Sequence, residues 1–189
     1  MSRACLVVLA AFGEACVSAG ARQPERYFVL EQRATTPARF SVRVAPTTAS
    51  SFYDTQEIAY SRAAGTRAYY QFNRWTERPQ RLVEAALAAR LEGDGAETGL
   101  VLRTNLDEMY HDAVQPPGSA RVAVTAQLVG ASGTVLASRR FTQTAPAVSY
   151  DAAGAVRGFD EALGALVDEV VAWIGSQRAA GGASRQNER

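Results

Sequence analysis

Residues 105–112, NLDEMYHD, gather the single histidine of the chain, His111, with the carboxylates Asp107, Glu108 and Asp112. A histidine oriented by a carboxylate can serve as general base to a serine hydroxyl, the chemistry of a hydrolase. Alternate side chains of a strand share a face, so Asp107 and His111 are expected on one side and Glu108 and Asp112 on the other. No G-x-S-x-G elbow is present to expose a serine. One histidine and a distant cysteine cannot supply a tetrahedral metal set. Both glycine-rich phosphate loops are missing, and GDGAETG at 93–99 reads as a helix exit. The expectation is a protein that is not an enzyme, with no catalytic residue, no metal and no cofactor.

The other reactive group is a thiol. Residues 1–12, MSRACLVVLAAF, place Arg3 ahead of an apolar run, and small residues follow around Ala15. That order is a short secretory signal. The run falls short of the roughly 20 apolar residues that cross a bilayer. Two cuts fit, one of lipoprotein type before Cys16 and one of ordinary type after Ala19 or Ala21. Cys5 leaves with the signal, so a free Cys16 in an oxidising compartment would have no partner within the chain, and a lipid cap removes that liability. Lipidation at Cys16 is therefore expected, with residues 1–15 as signal peptide and 16–26, interrupted by Pro24, as a flexible tether.

A third cluster is aromatic: Tyr69, Tyr70, Phe72 and Trp75, with Arg74 among them. Strand parity cannot point both Tyr69 and Tyr70 into one core. Part of the cluster is expected on an outer face, where aromatics favour a partner or a lipid tail. These five residues are the candidate partner or lipid interface.

The elements that must position these groups follow from periodicity. YFVL (27–30), RFSVRVAP (39–46), EIAYS (57–61) and RAYYQF (67–72) read as strands. In residues 76–93 the period becomes helical, with Leu82, Val83, Ala86, Leu87 and Leu91 on one stripe, Pro79 in the first turn and Gly93 past the end. Strands at 100–110, 120–130 and 134–144 follow. In the second of these, Val122, Val124, Ala126 and Leu128 alternate with polar residues, the mark of an antiparallel sheet with one covered face. A second helix, from about Asp151 to Ser176, carries Phe159, Leu163, Leu166, Val170 and Trp173 on its apolar stripe. Residues 177–189 lack large apolar side chains and are expected to be a disordered tail. The fold class is α+β, a single domain over 27–176 with a mainly antiparallel sheet and two amphipathic helices packed on one face.

Composition excludes other classes. The 47% hydrophobic and 21% charged residues are those of a globular domain. Every basic residue is arginine, and 20 of them against 19 acids leave a net charge of +1, so no nucleic-acid footprint exists.

Taken in order, the export signal with Cys16, RYFVL, IAYSRAAGTRAYYQFNRWTERPQRLVEAALAARL, VLRTNLDEMYHD and ARVAVTAQLVGASGTVLASRRFTQTAP resemble the ABC-type transport auxiliary lipoprotein component family. The resemblance spans about residues 26–175 and is most specific where the tyrosine-rich strand runs into Arg74-Trp75 and then Pro79. Gly13 and Glu14 depart from the Leu-rich lead into the lipid-bearing cysteine. The resemblance implies a non-enzymatic periplasmic lipoprotein of Gram-negative bacteria, tethered to the inner leaflet of the outer membrane. Its implied partners are an MCE-domain protein, the associated ABC transporter and membrane lipid, with a homo-oligomer left open. Two other roles fit the residues: a lipid-binding carrier with its own cavity, and an outer-membrane assembly lipoprotein.

Overall fold

The computed structural model describes residues 23–31, 36–93 and 96–187. Both cysteines, and the tether up to residue 22, lie outside the described residues. The chain forms β1 (Arg26–Phe28), β2 (Phe40–Val44), β3 (Thr48–Ala49), a 3-10 turn (Ser51–Tyr53), β4 (Glu57–Ser61) and β5 (Ala68–Trp75). Then come α1 (Pro79–Leu91), β6 (Ala96–Asp112), β7 (Ser119–Val129), β8 (Val135–Pro146) and α2 (Ala152–Asn187).

One eight-stranded sheet results, in the order β1-β5-β4-β6-β7-β8, with β2 and β3 also on β6. The β6-β7-β8 meander and the β4-β5 pair are antiparallel, as the alternation at 120–130 requires. The short strands β2, β3 and β4 lie parallel to β6, and β1 lies parallel to β5. Parallel pairing of this kind leaves no local mark in a sequence, because the partners are far apart along the chain.

Both helices cover the same face. On α1, Val83, Leu87 and Leu91 are fully buried against the sheet, while Leu82 and Ala86 line the seam with α2. Pro79 opens the helix, where its missing N–H costs nothing. On α2, Phe159, Leu163, Leu166, Val170 and Trp173 are all buried. Phe159 meets Trp75 edge-on at 5.5 Å and Trp173 meets Phe141 at 5.4 Å, joining the helix to strands at both sides of the sheet. Asp151 starts α2 by accepting the Gly154 N–H at 2.8 Å. That bond, the Ser149 hydroxyl and then the charge of Arg26 hold its carboxyl below the usual range. The helix does not end near Ser176. It continues to Asn187, through what composition marked as a disordered tail, although Gly181 and Gly182 are poor helix formers.

Gly158 brings α2 down onto the sheet. A Cβ there would lie 2.9 Å from the Ala120 Cβ and from the Pro146 carbonyl oxygen, whereas a Cβ on Gly164 would meet nothing within 4 Å. Gly158→Ala is expected to destabilise the domain by about 1–3 kcal/mol through overpacking. Gly164→Ala, which gains only helix propensity, is expected to stabilise it by about 1 kcal/mol. Urea denaturation of both variants measures the two shifts, and equal shifts would show that the contact at Gly158 does not bear on α2.

Candidate functional site

His111 sits on the helix-covered side of β6, fully buried. Its register partner is Ala120, the residue against which Gly158 packs. The Pro117 carbonyl lies 2.9 Å from Nε2 and can only accept, so Nε2 carries the proton and Nδ1 accepts the Tyr70 hydroxyl at 2.7 Å. Burial pushes the Tyr70 hydroxyl up to about 12, which keeps it a donor. Burial likewise pushes His111 below its ordinary value, with the Pro117 bond opposing. The Tyr150 ring closes the pocket edge-on at 6.2 Å. Both ring nitrogens are thus engaged within the protein and face no reactive group.

The carboxylates lie on the opposite face of β6, and here parity fails. Leu106 pairs Val124 and Glu108 pairs Ala123, so Asp107 is an inserted residue. The bulge puts Asp107 and Glu108 together on the open face and separates Asp107 from His111. Asp107 accepts from the Thr125 hydroxyl (2.7 Å), the Asn105 amide (2.7 Å) and Arg140 (3.2 Å), and Glu108 pairs Arg121 at 2.8 Å. Arg140 also reaches Glu108 at 3.6 Å. This network is a satisfied surface lattice across three strands. Among the described residues no group of three metal-ligating side chains is gathered.

The aromatic cluster divides. Tyr69 faces the open side, stacked on Phe52 at 4.5 Å with its hydroxyl on the Phe52 carbonyl. Tyr70 faces His111. Trp75 is 1% exposed beneath α2 and cannot touch a partner, which removes it from the candidate interface. Tyr69 and Trp75, six residues apart on one strand, face opposite sides because Glu57 pairs Arg74 while Ala59 pairs Tyr69, so two steps on β4 answer five on β5. Phe72 is half-buried, and Arg74 bridges Glu25 (3.2 Å) and Glu57 (3.5 Å). The five residues do not form one patch.

Sequence reasoning passed over Phe52 and Tyr53. Their 3-10 turn folds onto the open face, where Arg67 lies 3.5 Å over the Tyr110 ring and donates to the Tyr53 hydroxyl. The aromatic pair in SSFYDT was the available signal. The interior offers little room: an apolar cleft of about 60 Å³ lies between Leu30, Leu82, Ala86, Leu163 and Val167. An open trough of about 760 Å³ at the far end of β2, β6 and β7 is lined by Ser41, Arg43, Thr98, Arg103 and the 130–133 turn. No described helix is long and apolar enough to cross a membrane.

A family model described as ABC-type transport auxiliary lipoprotein component matches residues 29–171. The chain belongs to that family. That description names an auxiliary component of ABC-type transport rather than a catalytic one. Among solved structures, a Xanthomonas campestris protein of the DUF330 family is similar in fold, with a TM-score of 0.74 at 20% identity over 84% of this chain and 99% of that one. An uncharacterised protein reaches 0.64 at 10% identity over 80% and 99%. No curated protein matches.

The buried histidine of this auxiliary lipoprotein makes its stability depend on pH. Above the ordinary value of 6.5, both folded and unfolded chains hold it neutral. As pH falls through 6.5 the unfolded chain takes a proton that folded His111 refuses, so this stability is lost between 6.5 and the lower folded value. Urea midpoints of wild type are expected to fall over that interval, and those of His111→Gln to stay flatter. Parallel curves would show that His111 does not carry the dependence. Trp75→Ala is expected to cost about 3–5 kcal/mol in the same measurement; a change near zero would place Trp75 outside the core.

Proposed function

We propose that this chain is a non-catalytic auxiliary lipoprotein of an MCE-type ABC lipid transport system. It docks on, or completes, a periplasmic conduit that moves phospholipid or a related lipid between inner and outer membranes. Its MCE-domain partner and the associated ABC transporter supply the conduit and the energy. The chain itself is held to the inner leaflet of the outer membrane through lipid on Cys16. Membership of the auxiliary lipoprotein family is the observation that carries this reading.

The packing of the domain favours docking over carriage. A carrier needs a pocket of several hundred Å³ lined by apolar side chains. Among the described residues the apolar cleft between the helices is about 60 Å³, and the larger hollows, of about 760, 500 and 360 Å³, are open to solvent and lined by polar and apolar groups together. Tyr69, Tyr70, Phe72 and Arg74 stay candidates for partner contact, since each is only partly buried. The anchor chemistry is favourable: each buried methylene contributes about 0.8 kcal/mol, one chain alone is marginal, and the several chains of a lipoprotein hold firmly.

Crosslinking of the tagged full-length protein in intact cells, followed by mass spectrometry of attached peptides, tests the partner. An MCE-domain protein is the expected product. A β-barrel assembly protein, or bound lipid with no protein, would overturn the reading. Cys16→Ser is expected to move the protein from the membrane fraction to the soluble periplasmic fraction, and its retention in membranes would argue against the anchor.

A further inference from the structure

Seven large hydrophobic side chains stand exposed on the described surface, and three of them, Val114, Val148 and Tyr150, share one end of the sheet. That end is fixed by register: Ser61 pairs Asp112, Asp112 pairs Ser119 and Ser119 pairs Pro146, so the 62–67, 113–118 and 147–151 connections project from a single row. The connections are tied together. The Tyr150 hydroxyl donates to the Ala113 carbonyl at 2.7 Å, and the Arg62 guanidinium lies over the rings of Tyr60 (5.0 Å) and Tyr150 (5.9 Å). Val114 is 43%, Val148 64% and Tyr150 41% exposed.

Arg62 is exposed, and no carboxylate among the described residues forms an ion pair with it. Stacked on two rings, it keeps guanidinium donors turned to the surroundings, and a guanidinium matches phosphate oxygens. The acids at this end are engaged locally: Asp151 with Gly154 and Ser149, and Asp112 with the Val114 N–H. β1 runs parallel to β5 and pairs with its last three residues, Asn73 to Trp75, so the residues preceding Arg26 lead back along β5 toward this end. Arg26 lies ten residues after Cys16, and a coil of that length would reach roughly 15–20 Å.

We propose that this end of the domain, with Val114, Val148 and Tyr150 grouped around Arg62, rests on the lipid surface that holds the Cys16 anchor. The proposal depends on the anchor in the function proposed above. Two valines and part of a tyrosine ring bind a bilayer weakly by themselves, but a tether of this length makes the contact intramolecular and raises its effective concentration into the range where weak contacts persist. Tyrosine and arginine suit the headgroup layer, and the valines reach the acyl boundary. The strands then stand on the membrane, and the trough at the opposite end faces the periplasm.

The test compares labels at the two ends of the full-length lipoprotein in phosphatidylethanolamine–phosphatidylglycerol vesicles carrying bromine-labelled acyl chains. An environment-sensitive fluorophore is placed on Val148→Cys or, at the other end of β8, on Leu136→Cys, with Val114→Cys as a second label should the first perturb folding. The labels at 148 and 114 are expected to lose most of their fluorescence while the label at 136 keeps it. Equal quenching at both ends, quenching at 136 alone, or none at either would overturn the proposal. The mass of the N-terminal peptide reads the anchor separately. If Cys16 carries no lipid, the chain is held to chelator-lipid vesicles by a histidine tag ahead of residue 17, and the contrast between 148 and 136 still decides which end meets the bilayer.

Discussion

β6 hydrogen-bonds along one side to β7 and along the other to β2, β3 and β4 in turn, and the rest of the sheet takes its alignment from this seventeen-residue strand. Strands of five, two and five residues have little stability alone. Laid end to end along β6, each satisfies backbone groups that would otherwise be buried without partners. The helices depend on the same strand, since α1 and α2 bury their stripes against Leu102, Leu106 and Met109 and the neighbouring strands. A break in β6 would therefore unseat three strands and both helices together.

The bulge at Asp107 shows how one inserted residue can separate two chemistries. Before it, β6 sends Leu102, Thr104 and Leu106 to the helices, and after it Met109 and His111. The carboxylates at 107 and 108 both fall to the open side, where Arg121 and Arg140 balance them. An unshifted strand would have placed one of the two carboxylates, Asp107 or Glu108, under the helices, where an unpaired carboxylate is costly. The bulge thus keeps the core neutral, and the histidine becomes a packing element with both nitrogens bonded.

Much of this was legible in the sequence. The stripes of α1 and α2 and the alternation of β7 gave the covered face residue by residue, because helical and strand periods are written in side-chain type. Bulges are not written there. The one at Asp107 separated it from His111, and the extra residues in β5 let Tyr69 face the open side while Trp75 lies beneath α2. β3 and the 3-10 turn were too short to carry a period. The end formed by Arg62, Val114, Val148 and Tyr150 is assembled from three connections far apart in sequence, so no local pattern announces it.

The attachment of β1 has a mechanical consequence. Three residue pairs join it to β5 in parallel, Leu30 is buried just beyond it, and Arg74 clasps Glu25 just before it. Tension arriving through the N-terminus acts along the strand axis, so it loads the β1–β5 hydrogen bonds together in shear instead of peeling them one at a time. An edge strand of three residues can in this way transmit force into the sheet, with the Leu30 side chain as a stop.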